Sequence, residues 1–463
     1  MSELEKKSAI GKDEALAAVP LNERQHWMTP AMIFGGLEFT IPVLMVGASL
    51  TGGFSLAEIL LIVVLSMVVF QWPGNFIQGY IGAKTGRASS VIAKSSFGAL
   101  QARFIVGLTI FIVSMGWWAL QTAVAGNAIS AMFGIDYTTE WGAWALITVI
   151  AGALFALPAI IGYSSMKWTD YIAVPAGLIL IIGGIYLAFK NIGWDTITSW
   201  NPEPNMTILA AISLVIGVNV SQWVIASDYT RYAKPKVKDN LLIPIGIVGV
   251  GIPLFYVGAI MSVGVGEADI VTVMLNMGFP VWGFLILWFA TWTSQIVNNY
   301  SMGLALANML NVNSGKGRAL LTLGGTIIAI VIALAGILDY FTDFLYMTAL
   351  IYPAIAGVMM SDFFLVRKQQ WAENEGWNWM ATIALVVGTF VGYLTQYVYP
   401  FGLPAVQSLI VSIVAYYVAM KIKGSVSPDQ FTKVDIEDIK DQYREPGSID
   451  NEVEDARSIK ERV

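Results

Sequence analysis

The sequence predicts an all-α membrane protein that crosses the bilayer twelve times, and three observations carry that reading. Of its 463 residues, 56% are apolar and 13% are charged, against roughly a quarter charged in a soluble chain. The apolar residues fall in blocks of about 20, the length a helix needs to cross about 30 Å of hydrocarbon. The basic residues also divide by side. With the N-terminus inside, 25 of the 26 lie in the N-terminal arm, the inner loops or the C-terminal tail, and only Lys190 is outside. The outer loops hold Asp136, Glu140, Asp195, Glu203, Glu267, Asp269, Asp339 and Asp343 instead. Moving one span in or out would scramble this asymmetry, so it predicts twelve spans with both ends cytoplasmic.

The segments fall near residues 28–50, 55–81, 102–132, 141–162, 168–189, 206–226, 242–263, 279–309, 319–338, 344–363, 379–398 and 402–421. Several are long enough to require tilt. The polar arm before them, residues 1–27, has no apolar core of signal-peptide type. The stretch after Gly424 is mixed-charge and poor in aromatics, as expected of a flexible cytoplasmic tail.

Three spans are not uniformly apolar. The first, "MTPAMIFGGLEFTIPVLMVGASLTGG", places Gly35 and Gly36 mid-segment, with Glu38 two residues on and then Pro42. Glycines there either let two helices approach closely or mark an unwound helix whose carbonyls and carboxylate line a site. A carboxylate at that depth costs a few kcal/mol and calls for a partner. The sixth span crowds Gly217, Asn219, Ser221 and Gln222 where lipid-facing helices carry Leu or Val. Interrupted segments at corresponding places in two halves point to a transporter's central site. The eighth holds Thr293, Ser294, Gln295, Asn298 and Asn299 within seven residues. Gln295 and Asn299 share one helix face, while Thr293 and Ser294 begin another. Hydroxyls in such a place are hard ligands for a monovalent cation, or else they bond back to the preceding turn. The third span, "FIVSMGWWALQTAVAG", sets Gln121 one turn beyond Trp117 in an otherwise apolar run.

Taken together, "GYIGAKTGR" after the second span, "SFG" at 96–98, "GWWALQ", "SDYTRYAK", "WTSQIVNNYS" and "YPAIAGVMMSDFFLVRK" resemble the nucleobase–cation symporter family, from about Trp27 to Lys368. The resemblance implies a leucine-transporter-type fold. Two inverted five-helix repeats would occupy 28–189 and 206–363, followed by two additional spans at 379–421 and the tail at 424–463. It implies that Trp117 stacks on a planar heterocycle, that Gln121 reads its plane, and that Gln295 and Asn299 read its edge. A sodium site would take carbonyls of Gly36, Phe39 and Ala290 and hydroxyls of Thr293 and Ser294. Two positions depart from the family. Asn219, beside Ser221, stands where a second stacking aromatic is usual, with Trp223 one turn later, so either Trp223 swings in or an extra hydrogen bond holds the substrate. Glu38 replaces a small hydroxyl residue, and would bind a substrate N–H pair, join the sodium shell or take up a proton.

The implied activity is secondary active import of a planar nitrogen heterocycle by symport with Na⁺ or H⁺. That heterocycle would be a nucleobase such as cytosine or a purine, or alternatively allantoin, a hydantoin or a pyrimidine vitamin precursor. No covalent cofactor and no nucleic-acid partner are expected. The protein is expected to work as a monomer in the plasma membrane.

Other classes fare poorly. The chain has no cysteine and one histidine, His26, and only Glu38 and Asp170 qualify as buried acids, so an enzyme lacks its groups. A receptor would need an output domain that the short tail cannot form. A passive channel predicts uptake indifferent to ion gradients. Asp228, Arg231 and Lys234, with Asp362 and Arg367, read either as inner-face pairing that sets topology or as an inner gate.

Overall fold

The computed structural model describes residues 15–136, 139–263, 270–279 and 281–426; most of the tail, and the side chain of Asp170, lie outside the described residues. Eight helices are long and apolar enough to cross a bilayer, or ten when two bent pairs each count as one span. Those pairs are Met28–Glu38 with Ile41–Leu50, bent by 57°, and Ile208–Asn219 with Gln222–Thr230, bent by 44°. Two 29-residue helices, Tyr163–Asn191 and Val281–Met309, fall at the fifth and eighth places. A helix therefore stands at every one of the twelve expected places.

The break in the first span lies at Phe39–Thr40 rather than at Gly35–Gly36, which stay helical. The cause is Pro42, which has no N–H to offer the carbonyl of Glu38. Val43 in turn donates to the Thr40 carbonyl at 3.2 Å, so the Phe39 carbonyl drops out of the helical ladder. Phe39 (ψ 79°) and Thr40 (φ −140°, ψ 145°) are accordingly non-helical. Gly35 serves the other role open to it. It faces Gly246 of the seventh span, Val237–Ser262, where small residues let two backbones meet.

The third span, Ala99–Met132, packs along the eighth, and the first packs on the seventh and the eighth. The eighth also lies against the fifth. The eleventh and twelfth, Trp379–Val398 and Pro404–Gly424, pair with each other and with the tenth, Ile337–Val366. A wide π-turn at Ser66–Gln71 interrupts the second span, Leu56–Thr85.

On the side predicted to be cytoplasmic, the arm is tied down. Val19 N–H donates to the Gly86 carbonyl at 2.8 Å, Gln25 N–H to Tyr232 at 2.6 Å, and Lys234 N–H to Gln25 at 3.2 Å. Asp228 accepts from Ser89 N–H at 2.8 Å, and the buried Arg231 donates to the Tyr300 hydroxyl at 2.8 Å. Asp362 is a hub. It takes Ser95 Oγ at 2.6 Å, Tyr416 Oη at 2.8 Å and the Arg367 guanidinium at 3.1 Å. Asp228, Asp362 and Arg367 thus join the ends of spans to the helix Ser89–Phe97. Asp362→Asn keeps the shape but turns one acceptor oxygen into a donor and removes the charge opposite Arg367. It is expected to cost about 1–3 kcal/mol, read as a lower thermal midpoint in detergent.

Candidate functional site

The two bends face the third and eighth spans around one narrow cavity of about 20 Å³, lined by Leu37, Thr40, Trp117, Gln121, Val218, Asn219, Ser221, Gln222, Ser294 and Asn298. Its parts come from the local rules above. The extended backbone at Thr40 turns that hydroxyl inward, and the bend after Asn219 brings Ser221 and Gln222 to the same wall. Trp117 and Gln121, four apart on a helix, share a face. Ser294 and Asn298 do likewise, and Asn298 Nδ2 donates to the Ser294 carbonyl at 3.0 Å.

Trp117 forms the aromatic wall. Its ring is fixed by an edge-to-face contact with Phe344 of the tenth span, centroids 5.2 Å apart at 82°. Four buried polar atoms on this cavity have no hydrogen bond from the protein: Trp117 Nε1, Thr40 Oγ1, Gln121 Oε1 and Gln222 Oε1. Each would cost roughly 1–3 kcal/mol if left unmet, and their convergence beside an indole face suits a flat molecule with polar edges. Among the described lining residues there is no Asp, Glu, Lys or Arg.

Not every predicted residue reaches the cavity. Gln295 Nε2 lies 2.9 Å from Thr122 Oγ1; turning its amide over instead satisfies the Trp118 carbonyl and Thr122 N–H. In either orientation it ties the eighth span to the third. Asn299 Oδ1 accepts from Thr326 of the ninth span, Gly315–Leu334, at 3.1 Å. These two do share a face, but it looks toward the third and ninth spans. The cavity face is one residue back, at Ser294 and Asn298, a rotation of about 100°. Trp118 is fully buried in a separate apolar cluster with Phe155 and Met115.

Trp223 does not swing in. Its Nε1 donates to Gln71 Oε1 at 3.0 Å, while Gln71 Nε2 donates to the Asn219 carbonyl at 3.0 Å. Gln71, delivered by the π-turn, thereby supports the bend in the sixth span. The carboxamide in "SMVVFQWPGN" was the available signal for it. Glu38 is fully buried behind Asn219, whose Nδ2 donates to Glu38 Oε1 at 2.8 Å.

The proposed cation ligands pass a chemical test in part. Thr293 Oγ1 is buried without a partner, and Phe39 offers a carbonyl outside the ladder. Ala290, Thr293 and Ser294 follow the i, i+3, i+4 spacing of one helix face. The Gly36 carbonyl already takes Phe39 N–H at 3.2 Å. Among the described residues, no group of three or more His, Asp or Glu could hold a metal.

The sequence profile of the family described as permease for cytosine/purines, uracil, thiamine, allantoin matches residues 18–419. The chain belongs to this permease family. Cytosine permease of Escherichia coli (strain K12) is 25% identical over 383 residues, covering 81% of this permease and 87% of that protein. Hydantoin permease of Microbacterium maritypicum is 23% identical, covering 85% and 83%. Allantoin permease of Bacillus subtilis (strain 168) is 23% identical, covering 88% and 93%. In three dimensions the permease is similar to Mhp1, a nucleobase-cation-symport-1 family transporter, in a closed conformation with bromovinylhydantoin bound. The TM-score is 0.78 at 20% identity, covering 91% of this chain and 97% of that one. The inward-facing conformation of Mhp1 gives 0.76 at 19% identity, covering 96% and 99%. The permease is thus a transporter rather than an enzyme, and a multi-pass membrane protein.

Proposed function

We propose that this permease imports a neutral, planar nitrogen heterocycle by symport with a monovalent cation, Na⁺ in the first instance and H⁺ as the alternative. The observation that carries the reading is the cavity in which an indole face and four unpartnered polar atoms meet, with no charged residue among its described lining. A neutral ring loses little on leaving water if its edge hydrogen bonds are replaced. A charged one would lack a counter-charge. The favoured substrates are accordingly nucleobases such as cytosine or a purine, with allantoin, hydantoins or a pyrimidine vitamin precursor as the alternatives within the family.

In this reading the heterocycle stacks on Trp117 while Gln121, Asn219, Gln222 and Asn298 meet its edges. The cation joins the Phe39, Ala290 and Gly36 carbonyls to the Thr293 and Ser294 hydroxyls, linking the broken first span to the eighth. Gln295 and Asn299 support that wall from behind. Release inward requires the contacts of Asp228 with Ser89, and of the arm with residues 232–234, to part. The two five-helix halves, 28–189 and 206–363, would rock against each other, with 379–421 outside the motion. The protein would act as a monomer in the plasma membrane with both ends cytoplasmic.

The test is a thermal-shift screen of purified protein against cytosine, uracil, adenine, hypoxanthine, allantoin and hydantoins, each with and without sodium. Counterflow in proteoliposomes follows for any ring that stabilises the protein. Sodium and substrate are expected to raise each other's affinity by one common factor. Thr293→Ala is expected to raise the sodium concentration for half-maximal uptake by about tenfold, the loss of one hydrogen-bond-strength ligand. An unchanged sodium dependence removes this cation site, and uptake that follows only the proton gradient makes H⁺ the driver.

A further inference from the structure

We propose that Glu38 is a positioning residue that locks the Asn219 carboxamide with its carbonyl toward the cavity, so that the site selects a substrate N–H at that point. The inference rests on the transport reading above and adds the hydrogen-bond polarity of one wall. An amide side chain has a donor end and an acceptor end, and either can face a ligand unless something decides. Here the donor end of Asn219 meets only acceptors: Glu38 Oε1 at 2.8 Å and the thioether of Met67 at 4.0 Å. With Glu38 ionised, neither its carboxylate oxygen nor the thioether sulfur can donate, so the reverse orientation would set the amide oxygen against two acceptors.

The backbone is fixed as well, because Gln71 Nε2 holds the Asn219 carbonyl at 3.0 Å. Asn219 is only 5% exposed, and it lines the cavity. With Nδ2 held by Glu38, Oδ1 is the end left for a ligand. It joins two more acceptors on the same cavity, the unpartnered Gln121 Oε1 and Gln222 Oε1. Glu38 itself is 0% exposed and does not line the cavity. It acts through Asn219. The pair also joins the first span to the sixth directly at their two bends, so substrate polarity and helix geometry are set by one contact.

The test uses matched rings that differ only by one exocyclic amino donor: cytosine with 2-pyrimidinone, and adenine with purine. Binding to the purified full-length protein is measured by calorimetry, and the affinity ratio within each pair is the readout. Wild type is expected to favour the amino member of the pair it binds by about tenfold, because the partner without the amino group leaves the fixed acceptor unmet. Glu38→Gln can present either end of its own amide, frees Asn219 to turn, and is expected to bring that ratio close to one. Adding Asn219→Asp to Glu38→Gln restores a held acceptor, since Gln at 38 donates to one oxygen and the other faces the ring. The preference is then expected to return.

A merely structural role for Glu38 would weaken both members alike and leave the ratio intact, and that result overturns the proposal. So does an E38Q/N219D double variant that binds without recovering the preference. Should Glu38→Gln not yield folded protein, Asn219→Ser carries the same expectation. Its hydroxyl either donates or accepts, so an undiminished ratio there equally overturns the proposal. Wild-type protein that binds none of these rings, or any family heterocycle, overturns the transport reading itself. That result is distinct from intact binding with an unmoved ratio.

Discussion

Trp117→Ala is expected to weaken heterocycle binding roughly 10- to 100-fold, the range set by losing one ring-on-aromatic stack of about 1–3 kcal/mol. Among the described residues the indole is the only aromatic side chain lining the cavity; Leu37 and Val218 are its apolar companions. No second ring can compensate, because the Trp223 indole is held by Gln71 at 3.0 Å. Trp117→Phe keeps a face for stacking and is expected to lose less than about tenfold. Phe344→Ala removes the edge that fixes the indole, and its effect falls between that of Trp117→Phe and no effect. The measurement is affinity for whichever ring the thermal-shift screen identifies, with thermal midpoint as the control for folding. Wild-type affinity in a folded Trp117→Ala protein removes the stacking wall from the account.

Gly246→Leu is expected to yield no folded protein, and Gly246→Ala to lower the thermal midpoint sharply. A Cβ at Gly246 would fall within the contact distance of the Ala31 carbonyl and 2.9 Å from Gly35 N. Both are backbone atoms, which cannot rotate aside, so the first and seventh spans would have to separate. Overpacking of this kind costs typically 1–3 kcal/mol per inserted group, and more where the obstacle is backbone. The displaced helix also carries Phe39 and Thr40, so sodium dependence and binding should suffer in whatever Gly246→Ala protein survives. Gly249 gives the control. It lies in the same helix with nothing within 4 Å of a Cβ, so Gly249→Ala is expected to leave the midpoint unchanged or raise it slightly. Equal tolerance at both positions would mean that the two spans are not in contact.

Much of this was readable along the chain because the bilayer is an unforgiving solvent. It requires runs of about 20 apolar residues and puts basic loops on one side, so the number and order of the spans were written in composition. That the first and sixth spans are interrupted was legible from their mid-segment glycines and polar residues, although the break in the first falls at Phe39–Thr40 and not at Gly35–Gly36. The gathering of several of these residues was legible in outline. Trp117, Gln121, Asn219, Ser221 and Ser294 all line one cavity.

What failed to show in the sequence was direction. Gln295 and Asn299 look as suited to a substrate as Ser294 and Asn298, and a rotation of one residue about the eighth helix separates the two faces. Which face meets the cavity is set by how that helix seats against Thr122 and Thr326, contacts 173 and 27 residues away in the chain. In the same way, Glu38 reads as a ligand in isolation, and only the fold shows its Oε1 accepting from Asn219, 181 residues on. Composition and periodicity determined that polar groups gather at mid-membrane. Side-chain packing between distant helices decided which of them face the cavity and which hold the others in place, because a hydrogen bond's direction depends on a partner that local sequence does not contain.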